Sequence, residues 1–246
     1  MNVAESLATI DHPALRRIAA LAPLGADERS LLHTAMTRNL RTVPARRDLA
    51  IEGRPVDQPL IVLEGWAFRS RILNDGRRLI FDFLVPGDLI GFCAHKNPLA
   101  MTTISTLNPV TVCVAPQPLD DSVGEGLAEA YAVSHALEQR YWLRQMTRLG
   151  RLTAYERVID WALEMFERCH VGEAVWPTSL RLPITQEVLG DTLGLTSVHV
   201  NRTLKALMRD GLLQIAGGKL TLLDRERCTR IAGIQQARVS GASLYR

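Results

Sequence analysis

The chain has 246 residues, enough for one large domain or two of ordinary size. Its content of 47% hydrophobic and 22% charged residues is globular, and a net charge of only +3 excludes a histone-like protein or a basic tail. Any nucleic-acid surface must therefore be local, and the basic excess lies from Arg151 onward, with 13 Lys/Arg against 10 Asp/Glu.

Residues 1–40 read as helical. Asp11 with Pro13 opens a short segment through Leu21, and residues near Asp27 open a second, with Leu31, Leu32 and Met36 on one side. From Leu40 the period shifts toward two. Apolar runs at 48–51, 60–63, 66–73, 79–84, 90–92, 104–107 and 110–114 are separated by turn residues such as Gly53, Gly65, Pro86-Gly87-Asp88 and Asn108-Pro109. Asn74-Asp75-Gly76 is a hairpin signal, because these residues tolerate the positive φ of tight turns. Short strands without intervening helices predict a sandwich or jelly-roll barrel and exclude a parallel α/β sheet.

The helical period returns between Leu119 and Gly150. Leu127, Tyr131, Ser134, Glu138, Tyr141 and Gln145 recur at 4-3 spacing, flanked by Ala130, Leu137 and Arg144. A helix of about 25 residues is twice the usual length, and its stripe needs cover. A second copy would supply it through a coiled-coil-like seam; the alternative is packing back on the chain's own barrel. Gly150 is expected to end this helix. Thr153 caps the next, with Val158, Ile159, Ala162, Leu163 and Phe166 facing inward. Trp176, Pro177 and Leu180-Arg181-Leu182 then read as a short strand.

Ile184 to Leu213 divides into two periodic segments around Gly194. Val188, Leu189, Thr192 and Leu193 form one apolar face. Thr196 caps a second helix, in which Val200, Leu204, Leu207 and Met208 are expected to face inward. Two helices around a glycine-bearing turn describe a helix-turn-helix, whose second helix enters the DNA major groove. An ordinary helical hairpin has the same outline, but here the outer face is polar and basic until Asp210. The hairpin 212–222, turning at Ala216-Gly217-Gly218, reads as a wing with Lys219 at its tip, and Asp224 starts a last helix to about Ala232. The tail from Gln235 has little to bury.

Cys93, Cys113, Cys169 and Cys228 form no C-x-x-C pair and have no histidine cluster beside them, so no metal is expected. They read as reduced thiols of a cytoplasmic protein, with Cys169 a small apolar filler. No signal peptide and no membrane span is seen. No G-x-S-x-G, P-loop or metal spacing suggests an enzyme, and Asp120-Asp121 is explained by helix capping. A regulatory module acting on a protein partner is the remaining alternative.

The order of parts resembles the Crp/Fnr family of bacterial transcription regulators over nearly the whole chain. The resemblance rests on EGW at 64–66, NDGRR at 74–78, PGDLIG at 86–91, the long helix, and LGLTSVHVNRTLKAL at 193–207 before a wing. It implies an α+β protein with an N-terminal cyclic-nucleotide-binding-like jelly roll at 1–119. A dimerisation helix at 120–150 and a winged helix-turn-helix at 151–246 would follow. It implies a homodimer on palindromic double-stranded DNA, with RNA polymerase as a partner if the output is activation. Half-sites would lie about 34 Å apart, one helical turn.

Within that resemblance, cyclic-nucleotide members carry Glu after the glycine of PGD-x-x and an Arg-Ser pair about ten residues on. Here Phe92 and Cys93 follow Gly91, and the pair aligns near Met101-Thr102. An apolar Met cannot neutralise a phosphate, and the one nearby cation read from the sequence is Lys96. Canonical cyclic-AMP control is therefore not expected. The iron–sulfur branch needs N-terminal cysteines, and none precedes Cys93.

No cofactor is assigned. An apolar or weakly polar effector bordered by Phe81, Phe83, Phe92, Met101 and Thr102, a haem on His95 or another histidine, a redox-active Cys93 beside His95 and Lys96, and a barrel that senses nothing all stay open.

At the DNA, Ser197, Val198, His199 and Arg202 are expected to face bases, with Arg202 reading a guanine and Val198 touching a thymine methyl. Relatives often carry Glu at the Val198 position, so the preferred operator should differ. Thr185, Gln186, Thr196, Lys205 and Lys219 are expected on phosphates.

Overall fold

Helix caps set the first elements of the chain. The computed structural model describes residues 12–92, 98–116, 124–171 and 177–233. His12 accepts the Ala14 N–H at 3.2 Å, and Pro13 fills a position whose N–H would be unpaired anyway, so α1 is Pro13–Ala19. The expected start, Asp11, lies outside the described residues. In α2, Ala26–Thr37, the Glu28 carboxylate accepts from Gly25 N at 2.7 Å and from Leu127 N at 2.8 Å. One side chain thus serves the starts of two helices.

Two four-stranded sheets follow. One has the order β1 (Arg41–Val43), β8 (Val110–Val114), β3 (Leu60–Glu64), β6 (Leu89–Ile90). The other has the order β2 (Asp48–Ala50), β7 (Thr103–Thr106), β4 (Ala67–Ile72), β5 (Arg78–Leu84). The registered pairings are antiparallel. Val62, Ala67, Leu84, Ile90, Ile104, Val110 and Val112 meet between the sheets as one buried cluster. β1 was not anticipated: Arg41-Thr42-Val43 carries one apolar residue and is held by its ladder to β8. Gly65 has φ +81, and a Cβ there would lie 2.1 Å from the Pro109 carbonyl, so the β3–β4 turn requires glycine.

Helix α3 runs Glu125–Arg151, passing Gly150 by one residue. α4, Ala154–Cys169, begins at a capping box in which Thr153 and Glu156 exchange hydrogen bonds. A three-stranded sheet orders β10 (Leu213–Ala216), β11 (Lys219–Leu222) and β9 (Ser179–Arg181). It accompanies α5 (Gln186–Leu193), α6 (Ser197–Arg209) and α7 (Arg225–Ala232).

The chain forms two compact units. Among described residues one takes those up to Arg69 with Phe83–Gln139, and the other takes Ser70–Asp82 with those from Arg140 onward. The tip of the β4–β5 hairpin therefore belongs with the winged helix-turn-helix, and α3 contributes to both units.

The α3 stripe expected to form the dimer seam is covered within the single chain: Leu127, Tyr131, Tyr141 and Gln145 are buried. Leu143 and Met146, 65% and 70% exposed, lie on a different face. No described helix is long and apolar enough to cross a membrane.

Candidate nucleic-acid interface

The helix-turn-helix is built from two threonine caps and two glycines. Thr185 Oγ1 accepts from Val188 N at 3.2 Å to start α5, and Thr196 Oγ1 accepts from His199 N at 3.2 Å to start α6. Gly194 ends α5 in the left-handed region at φ +64. Gly190 has a different role. A Cβ there would stand 2.6 Å from the Leu195 carbonyl, while Leu195 N donates to Gly190 O at 3.0 Å. The turn closes over a residue with no side chain. Val188, Leu189, Leu193, Val200, Leu204 and Leu207 are buried between the helices. Met208, expected among them, is 54% exposed, because Leu204 and Leu207 already fill the inner face.

The outer face follows helical spacing. Val198, Asn201, Arg202 and Lys205 share one side of α6; Val198 is 80% exposed, Arg202 and Lys205 are exposed, and Asn201 is half-buried. Ser197 is exposed at the helix start and His199 is half-buried on the flank. The first turn of α6 has no acid, so the positive end of its dipole is not offset. Arg202, Lys205 and Lys219 have no ion pair among the described residues. Gln186, exposed at the first position of α5, accepts from Asn201 Nδ2 at 3.3 Å. Thr185 and Thr196 use their oxygens as caps and keep their hydroxyl protons as donors.

The wing turns at Gly217-Gly218, with φ +58 and +69, the pair of positive angles a two-residue hairpin needs. Lys219 is exposed at its edge and lies directly opposite Arg181 of β9. Two exposed cations facing each other across a ladder repel, and an anion between them relieves that repulsion. Arg181 was read from the sequence only as part of a strand; the missing signal was its long-range register.

The reading head is held by buried ionic chemistry. Arg140, Arg144 and Arg148 of α3 face Asp160, Glu164 and Glu167 of α4. Arg148 reaches Asp160 at 2.6 Å and Glu164 at 2.5 Å, Arg144 reaches Asp160 at 2.7 Å, and Arg140 reaches Glu167 at 2.9 Å. Burial pushes the Glu164 carboxyl up, but Arg148, Arg144 and Arg168 outweigh it and hold it below its ordinary value. The sequence carries the signal as two stripes, Arg at 140, 144 and 148 and acids at 160, 164 and 167.

Further contacts fix α5. Arg157 donates to the carbonyls of Leu149, Leu152 and Leu193 at 2.8 to 2.9 Å, closing the ends of α3 and α5 with one guanidinium. Gln145 Nε2 donates to Thr192 O at 2.6 Å, and Arg78 of the hairpin tip meets Asp191 at 2.7 Å. Tyr155 donates to Asp210 at 2.8 Å, fixing the end of α6; burial and that partner push its hydroxyl up to about 12.

The five residues expected around an effector fall in separate settings. Phe83 is fully buried, its ring edge-on to Trp66 with centroids 6.1 Å apart. Phe81 lies under Arg71, 5.9 Å from the ring. Both alternate with Leu84, which points into the barrel core, so they lie on the other face of β5. Phe92 packs on Tyr131 at 4.5 Å, Thr102 is half-buried and Met101 is 71% exposed. Cys93, His95 and Lys96 lie outside the described residues. Sequence reasoning also missed Arg69, a buried cation in β4 that reaches Leu89 O at 3.3 Å and Glu138 of α3 at 2.6 Å. Its signal was an arginine at an alternating inward position, two residues from Ala67.

Known proteins match this arrangement. The Crp-like helix-turn-helix domain matches residues 156–231. The nitrogen fixation regulation protein FixK of Bradyrhizobium diazoefficiens is 32% identical over 70% of this chain and 72% of its own. The transcriptional activatory protein AadR of Rhodopseudomonas palustris is 30% identical over 90% of this chain and 92% of its own. The structure of FixK2 from Bradyrhizobium japonicum superposes with a TM-score of 0.68 at 27% identity, covering 80% of this chain and 98% of that one. A cyclic-nucleotide-binding-like barrel, a long helix and a winged helix-turn-helix that binds DNA, with relatives that regulate transcription, make this chain a member of the Crp/Fnr family of transcriptional regulators.

Proposed function

We propose that the chain is a homodimeric, sequence-specific regulator that binds two inverted half-sites and is not controlled by cyclic AMP in the usual manner of the nucleotide-binding members. The observation that carries the reading is the α6 face of Val198, Asn201, Arg202 and Lys205, projecting from caps and buried salt bridges with no acid in the first turn. Ser197, Val198, His199 and Arg202 read bases. Thr185, Gln186, Thr196, Lys205 and Lys219, joined by Arg181, hold phosphates. Residues 1–119 sense, 120–150 dimerise and 151–246 bind DNA, in the cytoplasm where the DNA is.

The dimer seam runs along the exposed side of α3, through Ala132, Gln139, Leu143, Met146 and Gly150. The first two lie one heptad apart and the rest follow at four- and three-residue steps, while the other stripe is occupied within the chain. Against cyclic-AMP control stand Met101, solvent-exposed where the resemblance asks for Arg, and Arg69, neutralised by Glu138. An anionic ligand would have to displace that carboxylate. RNA polymerase is the partner if the output is activation; the relative AadR is a transcriptional activatory protein.

The test compares wild type and Arg202→Ala on an operator selected from random duplexes and on unrelated DNA, with sedimentation of Met146→Glu alongside. Wild type should prefer its operator, Arg202→Ala should lose much of that preference, and Met146→Glu should sediment as a monomer. Equal binding of operator and unrelated duplex by wild type, or a dimer unchanged by Met146→Glu, overturns the respective half of the reading.

A further inference from the structure

We infer that Asn201 reads an adenine, and that Gln186 orients it to do so. The inference rests on the DNA-reading role of α6 and adds one specificity residue and one positioning residue. Asn201 lies three residues after Val198 and next to Arg202, on the face that meets the groove. Unlike Arg202, its side chain is already oriented: Nδ2 donates one proton to Gln186 Oε1 at 3.3 Å. With Gln186 Nε2 turned to a backbone phosphate, Oε1 is the atom left to face Asn201, and that sets which end of the Asn201 amide is oxygen and which is nitrogen. Oδ1 is left as an acceptor, and the second Nδ2 proton is left as a donor.

An adenine edge in the major groove presents the complement, an N6 amino donor beside the N7 acceptor. A guanine presents two acceptors there, and would leave Asn201 Oδ1 facing O6. An amide held this way selects adenine over guanine at the base it meets. Gln186 sits at the first position of α5, where its own Nε2 protons remain available to a backbone phosphate. The same side chain then couples the phosphate register of α5 to the orientation of the base reader on α6. Neither residue is packed in the core, so replacing them leaves the fold intact.

The experiment selects duplexes from a random pool with the full-length protein and with Asn201→Ala, Gln186→Ala and Gln186→Glu. Wild type should show an invariant adenine in each half-site, distinct from the guanine whose preference depends on Arg202. Asn201→Ala should lose about tenfold in discrimination at that adenine alone, the size of one bidentate contact. Gln186→Ala should weaken the same preference, and Gln186→Glu, which keeps the acceptor, should restore it while lowering overall affinity through phosphate repulsion. If wild type selects an operator and Asn201→Ala selects the same one with every preference intact, Asn201 is not a reader. If Gln186→Ala weakens binding uniformly without touching the adenine, Gln186 does not orient it. If wild type selects no sequence at all, the broader reading of α6 fails first.

Discussion

Arg148 and Glu164 meet at 2.5 Å, Nη2 to Oε2, with side chains 2% and 4% exposed. They join the second half of the long helix to the helix that carries the DNA-binding domain. Removing Glu164 leaves Arg148 buried with Asp160 as its one remaining carboxylate, so Glu164→Ala should destabilise by about 3 kcal/mol, the low end for a broken buried pair, read as a lower urea midpoint. The Glu164 carboxyl is held below its ordinary value of 4.5 in the folded protein. Its stabilisation is therefore full above that value and is lost as pH falls through the folded one. The urea midpoint should drop on acidification below 4.5, and Glu164→Gln should flatten part of that drop.

The two glycines of the helix-turn-helix should respond differently to alanine. At Gly194 a Cβ meets Leu149 at 3.5 Å, an ordinary contact, so the cost is the left-handed backbone, about 1 kcal/mol. At Gly190 the Cβ would press on the Leu195 carbonyl at 2.6 Å, and backbone must move. Gly190→Ala should cost more, about 1–3 kcal/mol as for overpacking, and should weaken DNA binding more than Gly194→Ala. Thermal melts and operator titrations of the two variants check the order.

Lys219 faces Arg181 across the wing. Lys219→Ala removes a like-charge pair, so thermal stability should hold or rise by a few tenths of a kcal/mol. DNA affinity should fall, and the slope of log affinity against log salt should shrink by about one per subunit. A titration at several salt concentrations separates this from a folding defect.

The interior thiols should be inert. Burial pushes Cys113 up to about 12 and Cys228 up to about 11, so neither is a thiolate at neutral pH. A thiol reagent at pH 8 should label both only after denaturant is added, as mass spectrometry of digests would show.

The caps and periods of the output domain were legible in the sequence because they are local: Thr153, Thr196, Gly194, the Gly217-Gly218 turn and the helix from Asp224 all stand where propensity puts them. β1 was not legible, since three mostly exposed residues carry no periodic signal and depend on β8. The side of α3 that is buried was misjudged for a related reason. Its apolar residues occur on two faces, and only the folded chain decides which one it covers itself. The pairings of Asn201 with Gln186, Arg181 with Lys219 and Arg69 with Glu138 were not legible, because the two partners in each lie far apart in sequence.

The most direct test of the central claim is sequence selection by the full-length protein from a random duplex pool. Two inverted half-sites with centres about one helical turn apart are expected, each containing a guanine whose enrichment disappears in Arg202→Ala. Enrichment of no sequence, or of a single unsymmetrical site untouched by Arg202→Ala, would contradict a dimeric, base-reading α6.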